Sequence, residues 1–256
     1  MAKHLKWTDE QLLIAFALYL HIPFGKFDQS NPEIIRCAKL IGRTPGALAM
    51  KLSNIASLDP EITQSGRKGL SGSSAADERM WLEMQGNLEQ FEIKACAALE
   101  SLGASLSVSV SMPNSDVPLN FEGLTKDAVI KIRIGQQIFR KAVLSAYNSQ
   151  CCISGLNISS LLVASHIKPW RVDQENRLNP SNGLCLSTLH DKAFDLGLIT
   201  ISKELKVHAS KKLLKAKSPF LEKSLINYEG FRITSPERFL PDERFLRYHR
   251  ENIFES

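Results

Sequence analysis

The sequence predicts an α+β protein in which a helical N-terminal region is joined to a strand–strand–helix unit. Two observations carry this prediction. Apolar residues in the first hundred positions recur every three or four residues, which is the period of an amphipathic helix. Further on, two short apolar runs suit buried strands, and a helical pattern begins at His190. We expect three parts, at residues 1–64, 65–125 and 126–256.

Helix-capping signals divide the first part into three helices. Thr8 and Gln11 form a capping box at the start of the first helix. The second and third helices begin at Asn31-Pro32 and at Thr44-Pro45, where an N-cap residue is followed by proline. The second helix is expected to stop at Gly42.

The short connection between the second and third helices predicts a helix-turn-helix. Its third helix would then enter the major groove, with Arg43, Lys51 and Asn54 free to contact phosphates or base edges. The alternative is a plain three-helix bundle whose polar residues are solvated. The sequence leaves both interpretations open.

The second part begins with a loop rich in glycine and serine at residues 65–74. A long helix from about Ala75 to Leu102 follows, with apolar residues in a heptad pattern over three repeats. Either this helix pairs with its copy in a homodimer, with Leu88 in the seam, or it packs against its own domains. Residues 103–125 have the composition of a linker.

Composition argues against two classes of protein. The N-terminus lacks the apolar core of a signal peptide, and no apolar run is long enough to span a bilayer. Five scattered cysteines do not form a disulfide framework, so reduced thiols and a cytoplasmic location are expected. The formal net charge of +5 suits a protein that binds a polyanion but does not require one.

Catalytic residue types occur in a fixed order in the third part. His166 follows an apolar run, Asn182-Gly183 forms a turn, and His190 stands beside Asp191. A histidine can take a proton from water near neutral pH. A second histidine beside a carboxylate can hold a divalent cation. Together these groups could hydrolyse a phosphodiester.

This ordered set resembles the motif of HNH nucleases, in the variant common in bacterial restriction-type endonucleases. The resemblance extends over about residues 130–254, because residues 135–140, 147–155, 194–197 and 248–254 also resemble family segments. It implies a ββα-metal domain that cleaves double-stranded DNA, in restriction of foreign DNA or phage defence.

The resemblance implies roles for the residues of the motif. His166 would be the general base, and Asn182 would organise the loop so that this base points at the phosphate. His190 would bind Mg²⁺ or Mn²⁺, and the loop cations would clamp flanking phosphates. These cations are Lys168, Arg171 and Arg177.

The chain departs from the family pattern at two places. Many relatives carry an acidic metal ligand immediately before the base, where this chain has Ser165. Asp191, or Asp195 one helical turn later, could compensate, and Asp191 is preferred. Many relatives also hold a structural zinc with two Cys-x-x-Cys pairs. Here Ser154 stands where the second cysteine of the pair that starts at Cys151 would fall, so a structural zinc is not expected.

Two other functions remain open. A non-catalytic DNA-binding protein could keep the nuclease fold as a scaffold, and an RNA-directed nuclease toxin could use the same residues. Residues 203–223 carry seven lysines against two glutamates, which suits either a solvated face or a phosphate-binding surface.

Overall fold

A computed structural model describes residues 6–64, 66–67, 69–102, 135–136, 139–173 and 175–256 of the 256-residue chain. The chain divides into two compact units, residues 1–142 and 143–256. The boundary predicted near residue 125 lies outside the described residues.

The first unit is built from helices around a central α1. This helix is buried on nearly all sides, not on one face as predicted, because α3, α5 and α6 all pack against it. The predicted caps of the first three helices are present, and Gly42 ends the second helix with a positive φ of 66°. The first four helices are α1 (Asp9–His21), α2 (Pro32–Leu40), α3 (Pro45–Ala56) and α4 (Pro60–Gln64).

The predicted long helix is in fact two helices, α5 (Ala75–Gly86) and α6 (Leu88–Ser101). Asn87 breaks the helix with an extended backbone (φ −157°, ψ 88°). Its side-chain oxygen then accepts a hydrogen bond from the Gln90 amide at 2.9 Å, as an N-cap does. The single-helix prediction was wrong because Gly86-Asn87 is a local stop-and-restart signal that heptad spacing does not detect.

Three heptad residues of α5 and α6 are buried within the single chain. Met84, Phe91 and Ala95 are at most 4% exposed, and the Phe91 ring lies 6.2 Å from that of Phe16 on α1. Of the two sequence interpretations, this contact favours packing within the chain.

The second unit begins within α7 (residues 139–146), in which Phe139, Ala142, Val143 and Ala146 are buried. The predicted order of strand, strand and helix follows: β1 (Leu162–His166) pairs antiparallel with β2 (Gly183–Ser187), and α8 (Thr188–Asp195) packs against both. Ser187 is the N-cap of α8, so the helix starts two residues before His190.

The rest of the second unit surrounds this core. A second hairpin, β3 (Ile199–Ile201) with β4 (Val207–Ala209), packs through β3 against α8 and the last helix. Gly197 lies where an added Cβ would come within 2.0 Å of the Ile253 carbonyl oxygen, so the C-terminal chain closes tightly on the end of α8. The remaining helices are α9 (Lys211–Leu214), α10 (Pro219–Ser224) and α11 (Glu243–Asn252).

None of the helices in the described ranges combines the length and the apolar character needed to cross a bilayer.

Candidate active site

His166 is the last residue of β1 and points its ring into the loop that joins β1 to β2. Its Nε2 lies 2.9 Å from the carbonyl oxygen of Arg177. Because a carbonyl oxygen can only accept, Nε2 must carry the proton, and the lone pair of the neutral ring is therefore on Nδ1. The hydrogen bond fixes the tautomer that a general base needs.

Asn182 closes the same loop at its other end. It is fully buried, and its side-chain amide brackets the backbone of Lys168: Oδ1 accepts from the Lys168 amide at 2.8 Å, and Nδ2 donates to the Lys168 carbonyl at 3.1 Å. The Asn182 carbonyl also accepts from the Ile167 amide at 2.9 Å. The chain immediately after His166 is thus held in one conformation, as the organising role implied for Asn182 requires.

Trp170 and Arg177 surround the His166 ring. The Trp170 ring lies edge-on to His166 with centroids 5.5 Å apart. The Arg177 Nε donates to the Trp170 carbonyl at 3.1 Å, and its guanidinium lies 5.0 Å from the centroid of the Trp170 ring. Arg177 therefore ties Trp170 in place while its own carbonyl holds His166.

His190 turns away from this loop, toward the inside of the domain. It is 4% exposed, and its Nδ1 lies 2.7 Å from the Ser187 hydroxyl and 3.8 Å from the Cys151 sulfur. Its ring stands edge-on to that of Tyr228, with centroids 5.4 Å apart. Among the described residues, its Nε2 has no hydrogen-bond partner.

The contact with His190 changes the pKa of the Cys151 thiol. Burial raises the pKa of its thiol, but hydrogen bonds from His190 and Ser154 outweigh burial and lower the pKa to about 6. The sulfur also accepts a hydrogen bond from the Ser154 amide at 3.5 Å. Two short segments, Cys151–Ser154 and Ser187–His190, thus meet through their side chains.

A family model described as an HNH endonuclease matches residues 151–202. The matched range contains β1, β2, α8, His166 and Asn182. We call residues 151–202 the HNH domain, after the family model that they match. No protein of curated function matches the sequence at a significant level.

Among solved structures, this chain is similar to a modification-dependent restriction endonuclease, TagI. The two chains are 21% identical over 45% of this chain and 37% of that one, with a TM-score of 0.34. The chain thus spans little more than a third of the length of TagI.

The two histidines of the HNH domain lie at opposite ends of the β1–β2 hairpin. The register pairs His166 with Gly183, whereas Ser187, which contacts His190, pairs with Leu162. These ends are four residues apart, or roughly 13 Å at the rise of a strand. That His166 and His190 act on one cation stays a prediction.

The metal donors of the HNH domain do not converge on one point within the described residues. No group of three His, Cys, Asp or Glu side chains in the described ranges could hold a metal ion. His190 Nδ1 is occupied by Ser187, and Ser165, which stands where relatives have an acid, is 3% exposed. The described conformation therefore does not bring a complete set of three metal ligands together.

Asp191 and Asp195 lie on a different face of α8 from His190. Successive helix residues are turned by about 100°, so Asp191 points away from the direction of His190, and Asp195 follows one turn later on the same side. Asp191 is half-buried and Asp195 is exposed. Of the candidate ligands on α8, the carboxylates are therefore closer to solvent than the imidazole.

The three cations predicted to contact phosphates, Lys168, Arg171 and Arg177, differ in how far their side chains are held by other residues. Lys168 Nζ makes an ion pair with Asp173 at 2.9 Å and also lies 5.1 Å from the centroid of the Tyr248 ring. Burial raises the pKa of Asp173, but hydrogen bonds from Asn176 and Lys168 lower it more, so the net pKa is below its usual value. Arg177 is held by Trp170, whereas Arg171 is exposed.

The three DNA contacts predicted in the first unit hold that unit together. Lys51 is 7% exposed and pairs with fully buried Asp77 at 2.9 Å, so it cannot reach a phosphate and its predicted role needs correction. The Arg43 guanidinium donates to Gln11 and to the Lys6 carbonyl. Asn54 donates to the Gly72 carbonyl at 3.1 Å.

Two positions that contact the motif histidines had no predicted role. Trp170 lies within the motif but its sequence context indicates no function, and Ser187 follows directly on a predicted strand. A signal for Ser187 exists in the sequence, because Ser187-x-x-His190 repeats the two-residue spacing of Cys151-x-x-Ser154.

Proposed function

We propose that the protein is an endonuclease that hydrolyses phosphodiester bonds of double-stranded DNA and leaves 5′-phosphate and 3′-hydroxyl ends. His166 takes a proton from the attacking water through Nδ1, and Asn182 keeps the loop in the conformation that presents this base. The observation that carries the proposal is the hydrogen bond from His166 Nε2 to the Arg177 carbonyl, within a segment that matches HNH endonucleases.

The proposal includes a divalent metal, Mg²⁺ or Mn²⁺, because HNH nucleases generally use one. Such an ion supplies the counter-charge for the transition state. Asp191 and His190 remain the proposed ligands, although the described conformation does not bring them together with a third donor.

The proposed biological setting is restriction of foreign DNA or defence against phage, in the cytoplasm. Four buried cysteines form no disulfide, which fits a reducing compartment: Cys37, Cys151, Cys152 and Cys185. Arg171 is the loop cation best placed to contact a flanking phosphate, because it is exposed.

DNA contact by the N-terminal helices, in the manner of a helix-turn-helix, stays a prediction. Since Lys51, Arg43 and Asn54 all have intramolecular partners, such contact would need other side chains of α2 and α3. Homodimer formation also stays a prediction, which sedimentation of the purified protein would measure.

The direct test is incubation of supercoiled plasmid with the protein and Mg²⁺ or Mn²⁺, with and without a chelator. Nicked or linear plasmid that appears only with metal, and whose ends accept ligation without repair, supports the proposal. A parallel arm with single-stranded RNA separates a DNA endonuclease from an RNA-directed toxin.

The alternative is a non-catalytic DNA-binding protein with an HNH scaffold. One observation favours it: no three-ligand group exists in the part of the chain that the structure describes. Plasmid that stays supercoiled with every metal, while the protein still shifts DNA in a gel, would support this alternative and overturn the proposal.

A further inference from the structure

The positive charge of the chain is concentrated in one segment of the second unit. Residues 203–232, which we call the lysine-rich segment, contain eight Lys and Arg against three Glu. This surplus of five equals the formal net charge of the whole chain, +5. All eight cations are exposed: Lys203, Lys206, Lys211, Lys212, Lys215, Lys217, Lys223 and Arg232.

The acidic groups within the segment cancel little of this charge. Glu229 is engaged locally, since its carboxylate accepts from the His208 ring at 2.9 Å and from the Ala209 amide. Lys212 pairs with Glu255 at 3.3 Å, but both side chains are largely exposed, and such pairs are weak. Exposed lysines of this density attract a polyanion through its phosphates.

Two phenyl rings lie exposed among these lysines. Phe220 on α10 is 63% exposed and Phe231 is 59% exposed, although phenylalanine is usually buried. Phe231 is on a rigid part of the backbone, because its carbonyl accepts from the Val207 amide of β4 at 2.9 Å. Its ring also stands edge-on to Tyr228 at 6.3 Å.

The segment is joined to the nuclease core through Tyr228. The same Tyr228 ring that contacts Phe231 lies 5.4 Å from the ring of His190 on α8. A short 3₁₀ turn, Ile226–Tyr228, connects α10 to this contact. Phe231 is thus anchored to the HNH domain, and α10, which carries Phe220, packs against the same 3₁₀ turn.

Exposed aromatic rings beside lysines suit one kind of ligand. In a duplex the faces of the bases are covered by their neighbours, so a protein ring can stack only on a base that is unpaired. Lysine contacts to phosphate do not depend on sequence, and neither does stacking on a base.

We propose that the lysine-rich segment binds a single-stranded stretch of the polynucleotide, with phosphates on its lysines and unpaired bases stacked on Phe220 and Phe231. This inference rests on the proposed nuclease function, because it assigns to the nuclease a second contact with its substrate. The protein should therefore bind DNA that has both a duplex and an unpaired stretch more tightly than a duplex alone.

The test is fluorescence anisotropy with a labelled oligothymidine and a labelled duplex of the same length, with the full chain carrying His166→Ala as the parent. Phe220→Ala should weaken binding of the single strand about 5- to 150-fold, the range of 1–3 kcal/mol per stacked base, and leave duplex binding nearly unchanged. Phe220→Leu, which keeps an apolar side chain but lacks the ring, should weaken it equally, whereas Phe220→Trp should retain it.

The lysines are tested by charge reversal. Lys211→Glu with Lys215→Glu should reduce the slope of log K against log [salt] by about 0.7 for each phosphate of a single strand that the protein no longer neutralises. The matched control is Lys6→Glu with Lys26→Glu, which changes the charge equally at exposed positions of the first unit outside α2 and α3.

If the two double variants weaken single-strand binding equally, only net charge matters and the inference is overturned. An unchanged affinity of Phe220→Ala for the single strand would also overturn it. These outcomes are independent of the proposed function, because wild-type protein that nicks plasmid would still be a nuclease. Conversely, protein that fails to nick but binds as expected would overturn the nuclease proposal alone.

Discussion

The Nδ1 atom of His190 lies 2.7 Å from the hydroxyl of Ser187, the residue that caps the helix on which His190 sits. The same nitrogen lies 3.8 Å from the Cys151 sulfur. His190 therefore joins the start of α8 to the loop that precedes β1. This position gives it a structural role, whatever it contributes to catalysis.

The first prediction concerns this structural role. His190→Ala removes the imidazole that contacts the buried Ser187 hydroxyl and the Cys151 thiol, so the free energy of unfolding should fall by about 1–3 kcal/mol. Urea unfolding followed by circular dichroism measures the change. The control His208→Ala, at an exposed ion pair, should alter it by less than about 0.5 kcal/mol. If His190→Ala unfolds like wild type but no longer cleaves DNA, His190 acts as a metal ligand and has no structural role.

The second prediction is that a zinc site can be completed where the two short segments meet. Cys-x-x-Ser and Ser-x-x-His have the two-residue spacing of zinc-binding segments, and the 3.8 Å from sulfur to nitrogen is close to the edge of a tetrahedral zinc site, about 3.5 Å. The double variant Ser154→Cys, Ser187→Cys should therefore bind one zinc per chain and unfold at a higher temperature.

Metal analysis and thermal unfolding with and without chelator measure this gain, and each single variant is a control with one donor fewer. If the double variant purifies without zinc and melts like wild type, the four side chains do not converge as described.

The third prediction separates positioning from phosphate binding at Arg177. If its side chain holds Trp170 against His166, Arg177→Ala should lower kcat by about 10- to 100-fold with little change in KM, because a misplaced base slows the chemical step. Arg177→Lys should recover little, since lysine lacks the planar donor group that reaches the Trp170 carbonyl. A raised KM with unchanged kcat, accompanied by a weaker salt dependence, would show that Arg177 binds phosphate instead.

The fourth prediction concerns stability at acid pH. His249 is 1% exposed, its Nε2 donates to the Phe194 carbonyl at 3.0 Å, and its ring stacks on that of Phe194. Burial and the charge of neighbouring Arg250 lower the pKa of His249, whereas the hydrogen bond to the Phe194 carbonyl raises it. The net pKa is about 4. The unfolded chain binds the proton more readily, so stability is full above pH 6.5 and falls as the pH drops toward 4.

The expected loss from His249 is about 3 kcal/mol over this range, from a shift of about 2.5 pH units. Urea unfolding at several pH values should show a flatter pH dependence for His249→Gln than for wild type, even though the variant is less stable at neutral pH. Parallel curves for the two proteins would exclude His249 as the source.

Local signals in the sequence were sufficient for much of the fold. N-cap residues followed by proline fix the starts of α2 and α3, because the cap and the first turn are adjacent in the chain. The strand–strand–helix order of the HNH domain was predicted for the same reason, since each short apolar run indicates a strand locally and Asn182-Gly183 marks the start of the second one.

Long-range partners could not be predicted in this way. Lys51 was expected at a DNA interface because lysine is rarely buried, but Asp77, twenty-six residues later, pairs with it in the interior. The side of α8 that carries His190 depends on where the helix begins. Because Ser187 starts it, His190 falls on the inner face and the neighbouring Asp191 does not.

The central claim is that His166 deprotonates the attacking water. The most direct measurement is the initial rate of plasmid nicking by wild type, His166→Ala and the control His208→Ala, each with an unfolding curve to show that it is folded. The account predicts that His166→Ala is slower by about 10²- to 10⁴-fold while His208→Ala nicks like wild type. Folded His166→Ala protein that nicks at the wild-type rate would contradict it.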